Sequence, residues 1–453
     1  MQEQICKFIS HKNKISYDSC YFRGNLYKIN PYYGFCVISE EDNNVLDFGT
    51  STTHFGQNAS KILYSVNNHN WLSLQGTTSY TLNKGEKIFF KTTSSIHKTS
   101  ASELPILKSS KMFSIQGDFG TLVSSVPNYG LYAFFQGTKI KECNILFDFT
   151  SFGDYALSNM FKNCTNLEYV DFYNGYNFLN YIIDTESLGS HCFKSTFENC
   201  SSLISFKNSV YIFWNESIPN YCCYNMYKGC IKLKTPPIIS LAGSLAGDNY
   251  YNDFSVGEYA FAYMFYDCKS LTSESLATED ILNSTKSVSR YAYAHMYENC
   301  ISFNPIQQIS LPKPQSEYCY SYMFKGCTSF NQQIIIAPDT RLSVHSCEYM
   351  FYGCSSLTKG PKLRCDLIGD YACQYMYAYC PKLKYIYVSG IPGTWSGFLP
   401  DRNNGTYHWI YGGVAAKGDY YYPNNLGTFF TGLSDAYARF PSGWTAHAVS
   451  QGT

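Results

Sequence analysis

One short motif recurs eight times in this chain of 453 residues. Each copy follows the frame M-[FY]-x-x-C-x-x-[LF], with Thr196 as the one departure at the first position. Successive cysteines of the motif lie 36, 30, 38, 32, 27, 27 and 26 residues apart, so the basic unit has 26–27 residues and the longer intervals carry insertions. A unit of this length that recurs many times indicates a solenoid, in which each repeat packs on its neighbours.

Two further columns of residues precede the methionine. Five residues before it is an aromatic ring, such as Tyr155 or His191, and the residue after the ring is always small, such as Ala156. The small residue, the methionine, the cysteine and the leucine then follow the spacing i, i+4, i+8 and i+11, which is one face of an α-helix roughly 17 Å long. A β-leaning run such as Tyr385–Val388 follows the leucine. The pattern predicts an α/β solenoid of short helix plus short strand units, curved because helices need more room than strands.

The columns also predict the core and the domain organisation. Residues 129–138 keep the ring but lack the cysteine, so they form a degenerate first unit and bring the array to about nine. We expect an unassigned N-terminal segment at 1–47, suited to docking, a small β-rich module at 48–118, the solenoid at 119–390 and a C-terminal capping segment at 391–453. The predicted repeat core consists of Met160, Cys164, Leu167, Met226, Cys230, Met264, Cys268, Met296, Cys300, Met323, Cys327, Met350, Cys354, Met376 and Cys380.

The repeat resembles the BspA-type leucine-rich repeat family, whose units read roughly Y-small-x-x-x-M-F-x-x-C-x-x-L. The resemblance covers about residues 120–390. Residues 62–92 resemble the β-module that often precedes such arrays, and Trp409–Val414 and Phe440–Thr445 resemble their closing segment. The resemblance implies a non-enzymatic protein for adhesion or protein–protein interaction, of the sort found on bacterial surfaces and among virion proteins of phages of gut anaerobes. Residues 1–47 match nothing in that family.

Charge and hydropathy bear on partners and location. Charged residues make up only 15% and the formal net charge is zero, so no nucleic-acid partner is expected. Met1–Ser10 has no signal-peptide pattern, and no run of about eighteen apolar residues predicts membrane insertion. We therefore expect a virion component, associated with a phage tail or head and made in the host cytoplasm, that binds other virion proteins or host surface proteins and glycans. The alternative is a bacterial surface adhesin, and the sequence does not determine the oligomeric state.

The chain offers little for catalysis. It has 19 cysteines but no C-x-x-C, and the regular spacing of the repeat cysteines indicates buried free thiols. No H-E-x-x-H, G-x-S-x-G or Walker A frame is present, so we expect no catalytic, cofactor or metal site. Exposed aromatic residues in the insertions and the C-terminal segment are the candidate binding surface, although packing against the solenoid would also explain them. This surface consists of Tyr211, Trp214, Tyr250, Tyr251, Trp395, Tyr420 and Tyr421.

Overall fold

The fold is a β-solenoid that follows an antiparallel β-module. The computed structural model describes residues 20–22, 25–27, 34–147, 149–173, 181–185, 187–206, 210–213, 217–236, 238–241, 254–272, 285–305, 309–311, 315–336, 340–368, 371–389, 417–423 and 443–449. The only α-helix within these ranges is His54–Gln57, with four residues. No helix of the described ranges has the length and apolar character needed to cross a membrane.

The N-terminal module is built from short strands whose described pairings are all antiparallel. Its strands are β1 (Cys20–Phe22), β2 (Asn25–Tyr27), β3 (Phe35–Ser39), β4 (Asn44–Asp47), β5 (Ile62–Ser65), β6 (Leu72–Ser73), β7 (Ser79–Leu82), β8 (Lys87–Thr92), β9 (Lys108–Ser109) and β10 (Phe113–Asp118). Two 3₁₀-helices, Ala59–Lys61 and Phe119–Thr121, complete it. β3 lies between β8 and β10, so residues assigned from the sequence to the N-terminal segment contribute a central strand of this sheet.

β10 joins the module to the solenoid, because it pairs antiparallel with β3 and parallel with β11. Every described strand pairing beyond β10 is parallel, as expected when equivalent strands of successive repeats stack. The solenoid strands are β11 (Ile140–Leu146), β12 (Ser151–Phe152), β13 (Tyr169–Tyr173), β14 (Tyr181–Thr185), β15 (Ser187–Leu188), β16 (Ser205–Phe206), β17 (Val210–Phe213), β18 (Ser217–Ile218), β19 (Ile238–Leu241), β20 (Phe254–Val256), β21 (Thr285–Val288), β22 (Ser310–Leu311), β23 (Ile335–Ile336), β24 (Thr340–Leu342), β25 (Lys359–Ile368), β26 (Tyr385–Ser389), β27 (Lys417–Pro423) and β28 (Gly443–Val449). The ladder thus continues through β27 and β28, which lie in the segment predicted to cap the array.

The predicted helix of each repeat is wrong: the segment is a staircase of overlapping β-turns. The Ala156 N–H donates to the Gly153 carbonyl, and the Ser158 N–H donates to the Tyr155 carbonyl, both i to i−3 bonds of 3.2 Å. The intervening N–H groups of Tyr155 and Leu157 donate instead to carbonyls of the next repeat, at 2.9 and 2.8 Å. An α-helix would place all of these donors in i to i−4 bonds of its own. Each repeat is therefore one coil of a β-solenoid and not a helix plus a strand.

Backbone conformation explains why the staircase resembles a helix in sequence. In each of the nine coils φ is positive at the ring residue and again four and eight residues later, as at Tyr259 (53°), Tyr263 (56°) and Asp267 (61°). These residues take the third position of every second turn, where a type II turn requires positive φ. Side chains consequently return to the same side every four residues, close to the 3.6 of an α-helix. The predicted curvature, which depended on helices wider than strands, loses its basis because hydrogen bonds join successive staircases directly.

The columns that the sequence predicts as core are buried. Ala156, Met160, Cys164 and Leu167 each have no exposed surface, and their equivalents in later coils are similarly buried. Beside the methionines runs an inner stack of rings with centroids 5.1–6.0 Å apart and planes within 13° of parallel. This stack consists of Phe135, Phe161, Phe197, Tyr227, Phe265, Tyr297, Phe324, Phe351 and Tyr377. Apolar contact between coils, repeated at each step, holds the array together.

The repeat cysteines add a specific hydrogen bond to this packing. The Sγ of each donates to the carbonyl of the inner-stack ring residue one coil earlier, as from Cys300 to Phe265 at 3.0 Å. The eight such bonds measure 2.8–3.1 Å. In the first coil Thr138 takes the column, and its Oγ1 donates to the Phe135 carbonyl at 2.8 Å. The column therefore selects a small side chain that is both apolar enough for burial and able to donate.

Lys98 closes the N-terminal end of the turn staircase. Its side chain is 3% exposed, and its Nζ donates to the carbonyls of Ser102, Leu104 and Tyr132 at 2.7, 2.7 and 2.6 Å. In later coils the carbonyl equivalent to that of Tyr132 accepts a backbone N–H from the preceding coil. The lysine ammonium thus replaces a backbone donor that the first coil lacks, and it fixes residues 98–104 as a strap over the end of the array.

Candidate functional site

The ring column forms a continuous outer stack along the solenoid. Its centroids are 4.3–5.0 Å apart and its planes within 13° of parallel, so its eight steps span about 37 Å. The nine rings are half-buried. The outer stack consists of Tyr129, Tyr155, His191, Tyr221, Tyr259, Tyr291, Tyr318, His345 and Tyr371, and these residues number the coils from first to ninth.

Stacking decides which part of each ring can meet a ligand. Because each ring inside the stack is covered on both faces by its neighbours, solvent reaches its edge and not its face. Sugars bind to aromatic residues mainly across an open ring face, which this arrangement does not offer. Rigid tyrosine edges with hydroxyl groups are typical of protein-binding surfaces, where large contacts form at little conformational cost.

A second column lies four residues after the outer stack, and its character changes along the molecule. The first four coils carry small or amide side chains there: Ala133, Asn159, Ser195 and Asn225. The last five coils carry rings whose centroids lie 4.3–4.9 Å apart, the first four stacked and the last tilted by 38°: Tyr263, His295, Tyr322, Tyr349 and Tyr375. Ala133, Ser195 and Asn225 are buried, whereas the five rings are half-buried. The side chains of the second column are therefore short in the first four coils and large in the last five.

A third column lies seven residues after the outer stack and carries most of the charge. It consists of Gln136, Lys162, Glu198, Lys228, Tyr266, Glu298, Lys325, Tyr352 and Ala378. Lys162 Nζ lies 3.0 Å from Glu198 Oε2, and Lys325 Nζ lies 3.1 Å from Glu298 Oε1. Lys228 has no carboxylate within ion-pair distance in the described part of the chain, and its ammonium lies over the ring of Tyr266 at 5.4 Å. We call the surface formed by the outer stack and these two columns the turn face.

Two of the three histidines on the turn face, His295 and His345, pair with carboxylates. His345 Nδ1 lies 2.8 Å from Glu348 Oε2, and His295 Nδ1 contacts Glu298 Oε2 in the same way. Burial raises the pKa of the Glu348 carboxyl, although the neighbouring His345 opposes this shift. No group of three or more His, Cys, Asp or Glu side chains that could hold a metal ion occurs in the described part of the chain.

The cysteines whose side chains the structure describes are buried thiols. All sixteen of these side chains are free and buried, as expected from the sequence for thiols in the array. Burial raises the pKa of Cys164, Cys347 and Cys380 to about 12. Since the thiolate is the nucleophile and the metal ligand, these side chains are inert at neutral pH.

Three of the seven residues of the predicted aromatic surface lie in described strands and not on the turn face. Tyr211 lies in β17, and Tyr420 and Tyr421 lie in β27. Trp214, Tyr250, Tyr251 and Trp395 lie outside the described residues.

The turn face was not among the surfaces expected from the sequence. A signal was available in the column eight residues after the ring, where Asn163, Asn199, Gly229, Asp267, Asn299, Gly326 and Gly353 occur. Glycine, asparagine and aspartate are the residues that best tolerate positive φ, so this column marks a turn that recurs every four residues and not a helix. Read in that way, the tyrosines at the ring column and four residues later belong to one surface.

Comparisons with known proteins give one family match, which covers part of the repeat array. A family described as "Mycoplasma protein of unknown function, DUF285" matches residues 259–380, the fifth to ninth coils. No curated protein sequence matches the chain. Among solved structures, the chain is similar to the pneumococcal vaccine antigen PcpA, with 11% identity over 74% of this chain and 79% of that one, at a TM-score of 0.25. A TM-score this low carries no argument about function.

Proposed function

We propose that the protein is a non-enzymatic structural and binding component of a bacteriophage virion, associated with the tail or the head. The chain is a repeat protein whose fifth to ninth coils match a repeat family, and such arrays provide long, regular surfaces for attachment. The turn face is the surface that we propose for protein binding.

The observation that carries the proposal is the reduced state of the thiols. Eight buried cysteines donate their S–H hydrogen to backbone carbonyls, which a disulfide cannot do. A fold that depends on so many free thiols favours assembly in a reducing cytoplasm. A virion protein folds there and reaches the exterior only when the host lyses, whereas an exported adhesin folds outside the cytoplasm.

Protein binding is favoured over glycan binding by the geometry of the outer stack. Ring edges and hydroxyl groups, spaced 4.3–5.0 Å apart, suit a polypeptide surface with side chains and backbone groups to contact them. The rings are held in place before binding, so little conformational entropy is lost when a partner docks.

Peptide mass spectrometry of particles purified by density gradient tests the proposal. We expect this chain in the particles at a constant ratio to a major structural protein. Its absence from intact particles, together with its recovery from the surface of bacteria by protease treatment, would instead establish the alternative of a surface adhesin that binds host proteins or glycans.

A further inference from the structure

We propose that a second surface of the solenoid, separate from the turn face, binds an acidic polysaccharide. This surface is formed by the short segments that follow the repeat cysteine in the fourth to ninth coils, and we call it the lysine edge. It consists of residues 231–235, 269–272, 301–305, 328–332, 355–359 and 381–385. The inference goes beyond the proposed function, because it adds a glycan to the protein partners proposed for the turn face.

The lysine edge carries positive charge that the chain does not neutralise. Its six lysines are Lys232, Lys234, Lys269, Lys359, Lys382 and Lys384, whereas its segments contain no aspartate or glutamate. All six lysines are exposed, and none lies within ion-pair distance of a carboxylate in the described part of the chain. The whole chain has equal numbers of basic and acidic residues, so the charge is concentrated on this edge. A surface of one sign attracts ligands of the opposite sign.

The layout of the charges favours a linear ligand. Backbone hydrogen bonds join the segments from coil to coil, as from the Ser329 N–H to the Ile301 carbonyl at 3.1 Å. Three lysines lie in the fourth and fifth coils and three in the eighth and ninth. At a strand spacing of about 4.8 Å, the fifth and eighth coils are about 14 Å apart. A compact anion can therefore contact only one group of lysines, whereas an extended polyanion along the solenoid axis contacts both.

Hydroxyl groups occupy the edge between the two groups of lysines. Ser302, Thr328 and Ser329 of the sixth and seventh coils are exposed. A hydroxyl group both donates and accepts hydrogen bonds, so it complements the hydroxyl groups of a sugar. The sequence of charge, hydroxyl groups and charge along the edge therefore fits a hydroxyl-rich chain that carries carboxylate or sulfate groups.

Other polyanions fit the lysine edge less well. Single-stranded nucleic acids bind through aromatic rings that stack on the bases, but the one ring of this edge, Tyr385, is half-buried and has Lys359 Nζ above it at 5.8 Å. None of the six cations is an arginine, the residue best suited to phosphate groups. A membrane surface requires a continuous apolar face, whereas Ile231 and Ile301 are separated by the coil of Lys269.

Biolayer interferometry with the full chain tests the inference. The probe is immobilised polygalacturonate, a polysaccharide of carboxylate sugars, and neutral dextran of similar length is the control ligand. We expect binding to polygalacturonate and none to dextran. Raising sodium chloride from about 50 to about 200 mM should weaken binding at least tenfold, because the lysines displace counterions from the polymer.

Paired charge reversals test the surface. Lys382→Glu combined with Lys384→Glu should weaken binding at least tenfold, and Lys232→Glu combined with Lys234→Glu should do the same, because the polymer contacts both groups of lysines. The matched control combines Lys61→Glu with Lys84→Glu, two exposed lysines of the N-terminal module, and should bind as the wild type does. Circular dichroism establishes that each variant is folded.

The length of the ligand tests the layout. Free digalacturonate reaches only one group of lysines, so it should compete with the immobilised polymer at least tenfold less well than free polygalacturonate at the same concentration of carboxylate.

Several results would overturn the inference: no binding to polygalacturonate, an equal loss in the control variant, or a loss from only one of the two groups of lysines. Tighter binding to polyglutamate, DNA or phosphatidylglycerol vesicles than to polygalacturonate would also overturn it, because the edge would then serve another partner. These measurements use the purified chain and do not depend on its presence in particles. The inference and the proposed function can therefore fail separately.

Discussion

The module and the solenoid are both β-structures, but they arrange their aromatic residues differently. In the module the rings of Phe35, Phe48, Phe55 and Phe90 cross at angles of 40–77°. In the solenoid the outer and inner stacks keep their rings within 13° of parallel. In a core that occurs once, each pair of rings can take the angle that packs best. In a repeat, equivalent rings must keep the same orientation from one coil to the next. The rings of the solenoid are thus parallel because each coil repeats the one before it, shifted along the solenoid axis.

The module and the solenoid also differ in their cysteine content. From this difference we predict the largest effect, a loss of stability of the solenoid at alkaline pH. Fifteen of the sixteen cysteines whose side chains are described lie in the solenoid, and Cys36 lies in the module. A thiol whose pKa is raised by burial to about 12, such as Cys164, keeps its proton in the folded state while the unfolded chain releases it above pH 9. Each such group contributes stability below pH 9 and loses about 1.4 kcal/mol of it per pH unit above that. With many thiols, the solenoid should unfold steeply between pH 9 and 12.

The module should respond to alkali in the opposite direction through Lys98. Burial lowers the pKa of this side chain to about 7, so between pH 7 and 10.5 the unfolded chain holds the proton that the folded one has released. Rising pH therefore favours the folded strap. Hydrogen exchange at pH 8 and pH 10, corrected for the intrinsic rate, should show lost protection in the solenoid before the module. If the module and the solenoid lost protection at the same pH, the predicted difference in their response to alkali would be wrong.

The connection between the two regions gives the second prediction. Lys98→Met should lower the free energy of unfolding by about 3–5 kcal/mol, because three half-buried carbonyls lose their donor and the buried lysine loses its polar partners. Chemical denaturation followed by circular dichroism measures this change. Lys84→Met, at an exposed lysine of a module turn, should stay within about 0.5 kcal/mol of the wild type. Equal effects of the two substitutions would mean that the ammonium of Lys98 does not close the array.

The same contrast shows what the sequence could predict. The solenoid could be predicted because the same motif occurs eight times, so that differences between single copies do not obscure it. The buried columns follow from the spacing of the motif alone. The backbone conformation of the repeat could not be predicted, because buried residues at the spacing i, i+4 and i+8 fit both an α-helix and a turn staircase with positive φ every four residues. The strap of Lys98 occurs once and depends on carbonyls up to 34 residues away, so no pattern marks it.

The third prediction concerns packing within the solenoid. Ala292 has no exposed surface, and replacing it with leucine should overpack neighbouring coils and reduce stability by about 1–3 kcal/mol. Thermal unfolding measures the loss. Lys269→Leu adds a similar side chain at an exposed site just after Cys268 and should leave the melting temperature nearly unchanged. If Ala292→Leu were as well tolerated, the small column would not be in contact with the next coil.

The smallest predicted effect separates the two roles of the cysteine column. Cys300 fills space between coils and donates to the Phe265 carbonyl at 3.0 Å. Threonine and valine have nearly the same shape, but only threonine can donate, and Thr138 already donates to a carbonyl from this column in the first coil. Cys300→Val should therefore be less stable than Cys300→Thr by about 1 kcal/mol. Burial in an apolar site by itself favours valine over threonine. If Cys300→Val were as stable as Cys300→Thr, packing alone would explain the cysteine column, and the solenoid would need no hydrogen-bond donor there.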